Sequence, residues 1–394
     1  MSNLRIAYGH VQGVRSLVNY AFSLYCSRLI RLNQKSASHY CVKLTYCLRS
    51  RTRSTLHKKI YPTLSLCVKK QHNIKETQKG GDDVFGYFDL LKETEEFARR
   101  GVETGIIGKS ALGQEIPYVF IGDKQKDCII VTGSIHAREH ITALLVVNQA
   151  KHLLKNPSAK LDGGIYFVPM INVDGVRLVQ EGVGFVADKQ LKKNLIKING
   201  GTDFSLWKAN ANGVDLNVNF DARWGQGKSN LFFKSPANYV GKAPHSEIET
   251  KNLMRLTLSV NPLATINYHC KGEVIFWRFF QQNKQQLWYH YKIAKSVSQL
   301  TGYKLVANEA GSCGGYKDWC ILRLGIPSLT VEVGSDKYGH PYPYTQFEDI
   351  YNKNVDIPRR LLNTVSRDKE RSKQNESTNE IHETGITSSP KSLR

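Results

Sequence analysis

The middle of the chain alternates short apolar runs with longer amphipathic segments. Apolar runs of strand length, bounded by glycine, proline or polar residues, predict buried strands at 127–133, 163–172, 262–270 and 327–334. Apolar residues at helical spacing, followed by the asparagine or glycine that commonly ends a helix, predict helices at 139–156 and 285–302. Apolar strands separated by helices favour a mainly parallel sheet covered on both sides. The pattern therefore predicts an α/β fold.

The two ends of the chain differ from this middle part. Residues 1–80 contain fifteen Lys and Arg but one acidic residue, Glu76, and so contribute +14 of the formal net charge of +21. This basic, Arg- and Ser-rich composition is typical of a disordered leader or of an organelle-targeting segment. From 363 to 394 Ser, Thr, Asn, Lys and Glu prevail, which predicts a polar disordered tail. We therefore expect one catalytic domain at 83–362.

The composition also bears on location and partners. No run approaches the roughly 18–20 apolar residues that a membrane span needs, so we expect no transmembrane segment. The eight cysteines show no zinc-finger or disulfide-framework spacing and indicate no redox compartment. Most of the positive charge lies in the leader without a nucleic-acid-binding motif, so we expect no nucleic-acid partner. A secreted or cell-envelope location is the working expectation, with organelle targeting as the alternative.

Residues with metal-binding or base chemistry fall at the ends of three predicted strands. His136 follows the first strand closely, His269 ends the third, and Glu332 lies near the end of the fourth. In open α/β sheets, ligands bind beyond the carboxyl ends of the strands. The sequence therefore predicts a functional site where these three ends meet.

The motif H-x-x-E-H that begins at His136 admits two interpretations. On one continuous helix, His136 and His140 would both bind zinc and Glu139 would act as the base. However, Gly133 and Ser134 interrupt the chain just before the motif, which predicts His136 in a turn and Glu139 in the first helical turn. The two histidines then do not share a helix face. This favours His136 and Glu139 as ligands, a third ligand elsewhere, and a packing or capping role for His140.

A series of motifs resembles the zinc carboxypeptidase A-like peptidases in both wording and order. They are IGKSALGQEIPYVFIG, GSIHAREH, INVDG, WKANANGVDLNVNF, INYHCKGEVIFW, GGYKDW and TVEVG. The resemblance implies an α/β/α sandwich on a mixed, mostly parallel eight-stranded sheet. It implies one Zn²⁺ per chain, held by His136, Glu139 and His269, with Glu332 as the general base. It also implies Asp215 as the acid that orients the first zinc histidine, a role that the surrounding motif favours over the alternative of an aspartate that caps a turn. Two imidazoles and a carboxylate are a ligand set that peptide-hydrolysing zinc sites use.

The chain differs from the family at positions that bind substrate. Lys208 occupies an arginine position that stabilises the oxyanion in typical members, and some bacterial members carry that arginine where this chain has Asn212. Asn217 matches the family, but Val218 replaces the neighbouring arginine that binds the substrate's terminal carboxylate. Valine offers no charge-assisted hydrogen bond, which weakens the case for strict exopeptidase recognition. Arg138, beside the zinc ligands, is the candidate cation to bind that carboxylate instead; the alternative is a solvated arginine at the start of the helix.

Two further positions concern the substrate pocket. Ala310 replaces the tyrosine that closes over the substrate, and Tyr316 is the candidate substitute. Lys317 matches the residue at the base of the side-chain pocket, where a lysine would favour a negatively charged group. The alternative is that Lys317 points to solvent. The overall wording is most similar to bacterial members that cut γ-D-glutamyl–diamino-acid links in cell-wall peptides.

The sequence therefore predicts a zinc-dependent metallopeptidase of the carboxypeptidase type, acting near a substrate C-terminus. One alternative is a γ-D-glutamyl-diamino-acid cell-wall peptidase with the same mechanism. Another is a degenerate, non-catalytic zinc- or peptide-binding relative, suggested by Lys208, Val218 and Ala310. The intact ligands and Glu332 favour activity. We expect a peptide or peptidoglycan stem-peptide substrate and a monomeric protein.

Overall fold

A computed structural model describes residues 84–156, 160–280, 283–307 and 311–384 of the chain. The predicted leader at 1–80 lies outside the described residues, as does Ala310.

One mixed sheet forms the centre of this part of the chain. Its eight strands are β1 Glu103–Lys109, β2 Glu115–Gly122, β3 Cys128–Thr132, β4 Gly164–Val168, β5 Ala264–His269, β6 Val274–Phe276, β7 Lys304–Val306 and β8 Ser328–Glu332. Their order across the sheet is β1-β2-β4-β3-β5-β8-β6-β7. Neighbours from β4 to β8 run parallel, as do β6 and β7, while the β1–β2, β2–β4 and β6–β8 pairs are antiparallel. The predicted mixed, mostly parallel sheet is therefore confirmed.

Helices flank the sheet on both sides, which confirms the predicted sandwich. They are α1 Tyr87–Arg99, α2 Ile141–Lys155, α3 Val173–Glu181, α4 Lys189–Asn199, α5 Ile248–Val260, α6 Lys284–Thr301, α7 Tyr316–Trp319, α8 Phe347–Asn354 and α9 Ile357–Thr384. Strands β3 and β5 are buried along their whole length, as expected for strands between two helical layers. None of these described helices is long and apolar enough to cross a bilayer.

The ends of α6 illustrate how the sequence sets the elements. The Asn283 side chain accepts a hydrogen bond from the backbone N–H of Gln286 and so caps the helix start. Gly302 adopts a left-handed conformation, with φ of +75°, directly after the last helical residue. Glycine reaches this conformation without the steric cost that a Cβ imposes, so the helix ends there.

Buried polar side chains help to hold the central strands in register near the predicted site. Thr132 on β3 donates to Asn267 Oδ1 on β5 over 2.9 Å, and Asn267 Nδ2 donates to Ser328 Oγ on β8 over 3.2 Å. In this register His269 and Glu332 are direct partners on adjacent strands. The carboxyl ends of β3, β5 and β8 consequently lie side by side at one sheet edge.

The segment after residue 362 differs from the disordered tail that its composition predicts. Helix α9 continues to Thr384, and its first turns bury the apolar residues Ile357, Leu361, Leu362 and Val365. Farther along, Lys369 Nζ lies 2.5 Å from Asp127 Oδ1. Tertiary packing of the first turns anchors a helix whose later polar residues would not form one alone. Residues 385–394 lie outside the described part.

Candidate metal centre

Three buried side chains from distant parts of the chain meet at the sheet edge. His136, Glu139 and His269 are at most 5% exposed, and each offers a ligand atom within 4.8 Å of the others. Glu139 Oε1 lies 2.9 Å from His136 Nδ1, and Glu139 Oε2 lies 3.2 Å from His269 Nδ1. The two Nδ1 atoms are 3.1 Å apart. The structure thus brings together the three residues predicted as ligands.

These separations fit a single zinc ion. Zinc binds nitrogen and oxygen at roughly 2.0–2.2 Å in tetrahedral geometry, so two of its ligand atoms lie roughly 3.3 Å apart. Burial alone would raise the pKa of Glu139, but His136 and His269 beside it lower that pKa well below its usual value. The carboxylate is therefore ionised, as a metal ligand must be. Within the described ranges, no other group of His, Cys, Asp and Glu residues has such an arrangement.

A short turn places the first two ligands. Residues Ala137–Glu139 form a 3₁₀ turn, and α2 begins only at Ile141. Glu139 therefore lies just before α2, whereas the sequence predicted it in the first turn of that helix. The Thr142 hydroxyl holds the turn from behind, because it accepts from Ser134 N–H over 2.8 Å and donates to Glu139 O over 2.8 Å. This local bonding directs both ligand side chains to the same point.

His140 does not join the ligand group. It is buried, and its Nδ1 lies 2.7 Å from the Tyr344 hydroxyl. Burial lowers the pKa of His140 to about 4, so the ring is neutral at physiological pH. The two-histidine interpretation of the H-x-x-E-H motif is therefore wrong, and His140 packs between elements.

Asp215 links the first ligand to a lysine. Its Oδ1 lies 3.3 Å from His136 Nε2, an electrostatic contact rather than a well-aligned hydrogen bond. Its Oδ2 lies 2.7 Å from Lys208 Nζ, and its oxygens also accept from the backbone of Asn217 and Asn238. Burial would raise the pKa of Asp215, but Lys208 and His136 outweigh it and lower that pKa far below its usual value. An ionised Asp215 behind the imidazole favours presentation of Nδ1 to a metal.

Glu332 supplies a second carboxylate beside the ligands. It is half-buried at the end of β8. Burial raises its pKa to about 7; the Glu139 charge adds to this rise, while His269 and Lys208 oppose it. No group in the described residues hydrogen-bonds its carboxylate. Such a carboxylate can accept and return a proton near neutral pH.

Comparison with known proteins now decides the family. Residues 88–357 match the zinc carboxypeptidase family over more than half of the chain. This chain belongs to the zinc carboxypeptidase family. The resemblance inferred from the sequence motifs is confirmed, and the family accounts for a zinc site built from two histidines and a glutamate.

Individual relatives of this family member are as follows. It is 35% identical over 265 residues to gamma-D-glutamyl-L-diamino acid endopeptidase 1 of Lysinibacillus sphaericus, across 64% of this chain and 65% of the relative. It is 26% identical over 264 residues to carboxypeptidase O of Bos taurus, across 61% of this chain and 66% of the relative. The chain thus spans slightly less than two thirds of either relative. The fold is shared by the structure of bovine thrombin-activatable fibrinolysis inhibitor in complex with tick carboxypeptidase inhibitor, with a TM-score of 0.59. The two sequences are 18% identical, and the match covers 73% of this chain and 98% of that chain.

Lys317 points into the protein. It is 8% exposed, and its Nζ lies 2.5 Å from Asp318 Oδ1 and 3.1 Å from Arg278 O. The ammonium also lies 5.1 Å from the centroid of the Phe279 ring. The alternative in which Lys317 points to solvent is therefore wrong. Sequence reasoning missed Asp318, although an acid directly after the lysine was a visible signal.

The structure corrects the expectation for Tyr316. This side chain is fully buried, and its hydroxyl lies 2.7 Å from Thr257 Oγ1. Its ring packs near Phe220, with a centroid separation of 5.4 Å. Tyr316 therefore belongs to the core and is not placed to close over a substrate. Val218 is likewise a buried apolar side chain.

The remaining predicted substrate residues are placed as follows. Arg138 lies between the first two ligands in sequence, is half-buried, and donates from Nη1 to Leu206 O over a long 3.4 Å. Asn217 Oδ1 accepts from the backbone N–H of Tyr316 over 3.1 Å. Sequence reasoning also missed His340, which is a half-buried histidine. Burial lowers its pKa, and the charges of Glu139 and Arg138 also act on it.

Proposed function

We propose that this member of the zinc carboxypeptidase family hydrolyses γ-D-glutamyl–diamino-acid links in cell-wall peptides, with Glu332 as the general base. The observation that carries the hydrolytic role is the convergence of His136, Glu139 and His269 beside a free Glu332 carboxylate. The link itself is suggested by the 35% identity to an endopeptidase of that specificity. It also agrees with a buried lysine at the pocket position, Lys317.

Each residue of the centre has a defined part in this proposal. When bound, zinc lowers the pKa of a water molecule and polarises the scissile carbonyl. Glu332 takes the proton from the attacking water and returns it to the leaving nitrogen. Asp215 holds the His136 ring in the orientation that the site needs. Lys208 lies close enough to Glu332 for its charge to act on that carboxylate. Its positive charge would stabilise the negative charge that develops on the substrate's carbonyl oxygen.

Lys317 is the proposed recognition point on the leaving-group side. An ammonium has three donors, and here Asp318 and Arg278 O take two of them. One donor remains for a substrate carboxylate, such as the extra carboxylate of a diamino acid like diaminopimelate. Because Val218 cannot bind a terminal carboxylate, recognition shifts from the usual arginine to this lysine.

The test combines metal analysis with a peptide panel. Wild type and Glu332→Gln are expected to bind one zinc each, and only wild type should cleave γ-D-glutamyl-diaminopimelate peptides. Hydrolysis by Glu332→Gln would reject Glu332 as the base. A preference for peptides that end in Phe or Lys would reject the substrate assignment and favour ordinary carboxypeptidase specificity.

A second candidate function is binding of zinc and peptide without turnover. Two observations favour it: the buried Val218 replaces an arginine that family members use on substrate, and the inward-facing Tyr316 does not replace the tyrosine that is lost at Ala310. It predicts measurable peptide affinity with no hydrolysis of any panel member by zinc-loaded wild type. Any zinc-dependent turnover abolished by Glu332→Gln would exclude it.

A further inference from the structure

A continuous series of contacts links the metal centre to the turn that carries Lys317. It begins at Asp215, beside the ligand His136, where Asp215 Oδ1 accepts from the backbone N–H of Asn217. Asn217 Oδ1 in turn accepts from the N–H of Tyr316, the first residue of α7. Lys317 is the next residue, so its backbone position is fixed relative to the metal ligands.

The segment that begins at Asp215 continues to the exposed side chain of Arg223. On the way, the Phe220 N–H donates to Gly314 O over 2.9 Å, so the segment runs beside the residues that precede α7. Arg223 has a φ of +51°, a left-handed conformation that is uncommon for a residue with a Cβ. Such strained backbone persists only where the surrounding structure fixes it, and it is frequent at ligand-binding sites.

Two aromatic rings connect Arg223 to Lys317. The Arg223 Cζ atom lies 3.7 Å from the centroid of the Phe280 ring. The centroids of Phe280 and Phe279 are 5.0 Å apart, and the Lys317 ammonium lies 5.1 Å from the Phe279 centroid. Two cations therefore contact one aromatic pair, with the buried lysine at one end and the exposed arginine at the other.

The stacked guanidinium of Arg223 keeps its hydrogen-bond donors available. These donors lie in the plane of the group, so an aromatic ring against its face leaves the edges free. In the part of the chain that the structure describes, no hydrogen bond or ion pair occupies them. Asp221, the acid nearest in sequence, pairs instead with Arg323 over 2.7 Å. An arginine with unused donors thus lies in the same segment as Val218, where the family's arginine is missing.

We propose that Arg223 binds the α-carboxylate of the residue that supplies the leaving nitrogen, while Lys317 binds the extra carboxylate on the side chain of that residue. This inference rests on the proposed function. Diaminopimelate carries these two carboxylates at opposite ends of an aliphatic chain. The buried lysine suits the inserted side chain, and the exposed arginine suits the end that stays near the surface. A planar guanidinium can form two parallel hydrogen bonds to a carboxylate, which Val218 cannot.

The test compares three γ-D-glutamyl substrates that share the acyl half. Their leaving groups are meso-diaminopimelate, its amide at the α-carboxylate, and L-lysine, which lacks only the extra carboxylate. Wild type is expected to prefer diaminopimelate over each of the others by about tenfold or more in kcat/KM, chiefly through KM, because each loses a charge-assisted hydrogen bond. Arg223→Gln should abolish the preference over the α-amide and keep the preference over lysine. Lys317→Met should have the opposite pattern.

Matched measurements separate recognition from folding. Arg100→Gln removes another exposed arginine, just after α1, which packs near β1 and β2 at the far end of the sheet from β6. This variant should keep both preferences. Affinity for the three substrates in a Glu332→Gln background, with zinc content as the folding check, gives the same comparison without turnover.

Two results would overturn this inference and leave the proposed function standing. One is equal cleavage of diaminopimelate and its α-amide substrates by wild type. The other is an unchanged preference over the α-amide in Arg223→Gln. Cleavage of none of the three substrates by zinc-loaded wild type would overturn both the inference and the proposed function.

Discussion

The contact between Asp215 and its two partners leads to a sharp prediction for Asp215→Asn. This substitution keeps the shape but removes the charge. The carboxylate oxygens face Lys208 Nζ and two backbone N–H groups. Either orientation of an asparagine amide would therefore point its NH₂ group at another donor. The Lys208 ammonium, which is 16% exposed, would also lose its counter-charge.

The expected effect has two separable parts. Removal of one partner from a largely buried ion pair costs about 3 kcal/mol, so the free energy of unfolding of the zinc-free protein should fall by roughly that amount. The loss of the acid behind His136 should weaken zinc binding by about tenfold to a hundredfold. Asp215→Asn combined with Lys208→Met should recover about half of the stability, because no unpaired charge remains, but should not recover zinc affinity.

Urea unfolding of zinc-free protein and competition with a chelator measure these two parts. Arg323→Met, which removes an exposed cation far from Asp215 in sequence, serves as the control and should leave both quantities unchanged. Unchanged zinc affinity in Asp215→Asn would refute the claim that Asp215 orients His136. Equal instability of the single and double variants would refute the ion-pair reasoning.

Three other predictions address pH, the core and specificity. Burial lowers the pKa of His290 from 6.5 to about 4, so below about pH 6.5 the unfolded chain binds a proton that the folded chain excludes and stability falls. His290→Gln should remove about 2 kcal/mol of the loss between pH 8 and pH 5 in urea titrations; an unchanged loss would contradict this. Tyr316→Phe should cost about 1 kcal/mol in the same assay, because Thr257 loses a partner, with KM and kcat unchanged; a raised KM would return Tyr316 to the substrate site. Lys317→Met should raise KM about tenfold or more for substrates with a carboxylate on the leaving group, and should leave KM unchanged for substrates with a neutral leaving group. An equal rise in KM for both kinds of substrate would contradict the proposed role of Lys317.

Local pattern placed four of the eight described strands, and the family resemblance indicated the ligands. Strands buried on both faces need continuous apolar residues, so each predicted run contains an observed strand. His269 and Glu332 stand at the ends of such runs, and parallel strands bring their carboxyl ends together. Gly133 and Ser134 interrupt the chain just before the H-x-x-E-H motif. The sequence therefore already indicated that His136 lies in a turn and does not share a helix face with His140.

The helix α9 shows where composition was insufficient. The polar residues after 362 resemble a solvated tail when taken alone. Their helix is anchored by apolar side chains just upstream that pack on the domain. Helix formation is cooperative, so a packed first segment extends into residues that would otherwise not nucleate a helix.

The sequence by itself determined the α/β fold class, because strand burial is a property of short segments, and its resemblance to a known family indicated the residues of the candidate zinc site. Only the tertiary structure decided where the side chains of the neighbours Tyr316 and Lys317 on α7 lie. Tyr316 turns its hydroxyl to Thr257 in the core, whereas Lys317 meets Asp318 and the backbone near β6. Adjacent residues on a helix point about 100° apart, and which of them faces the core depends on partners far away along the chain.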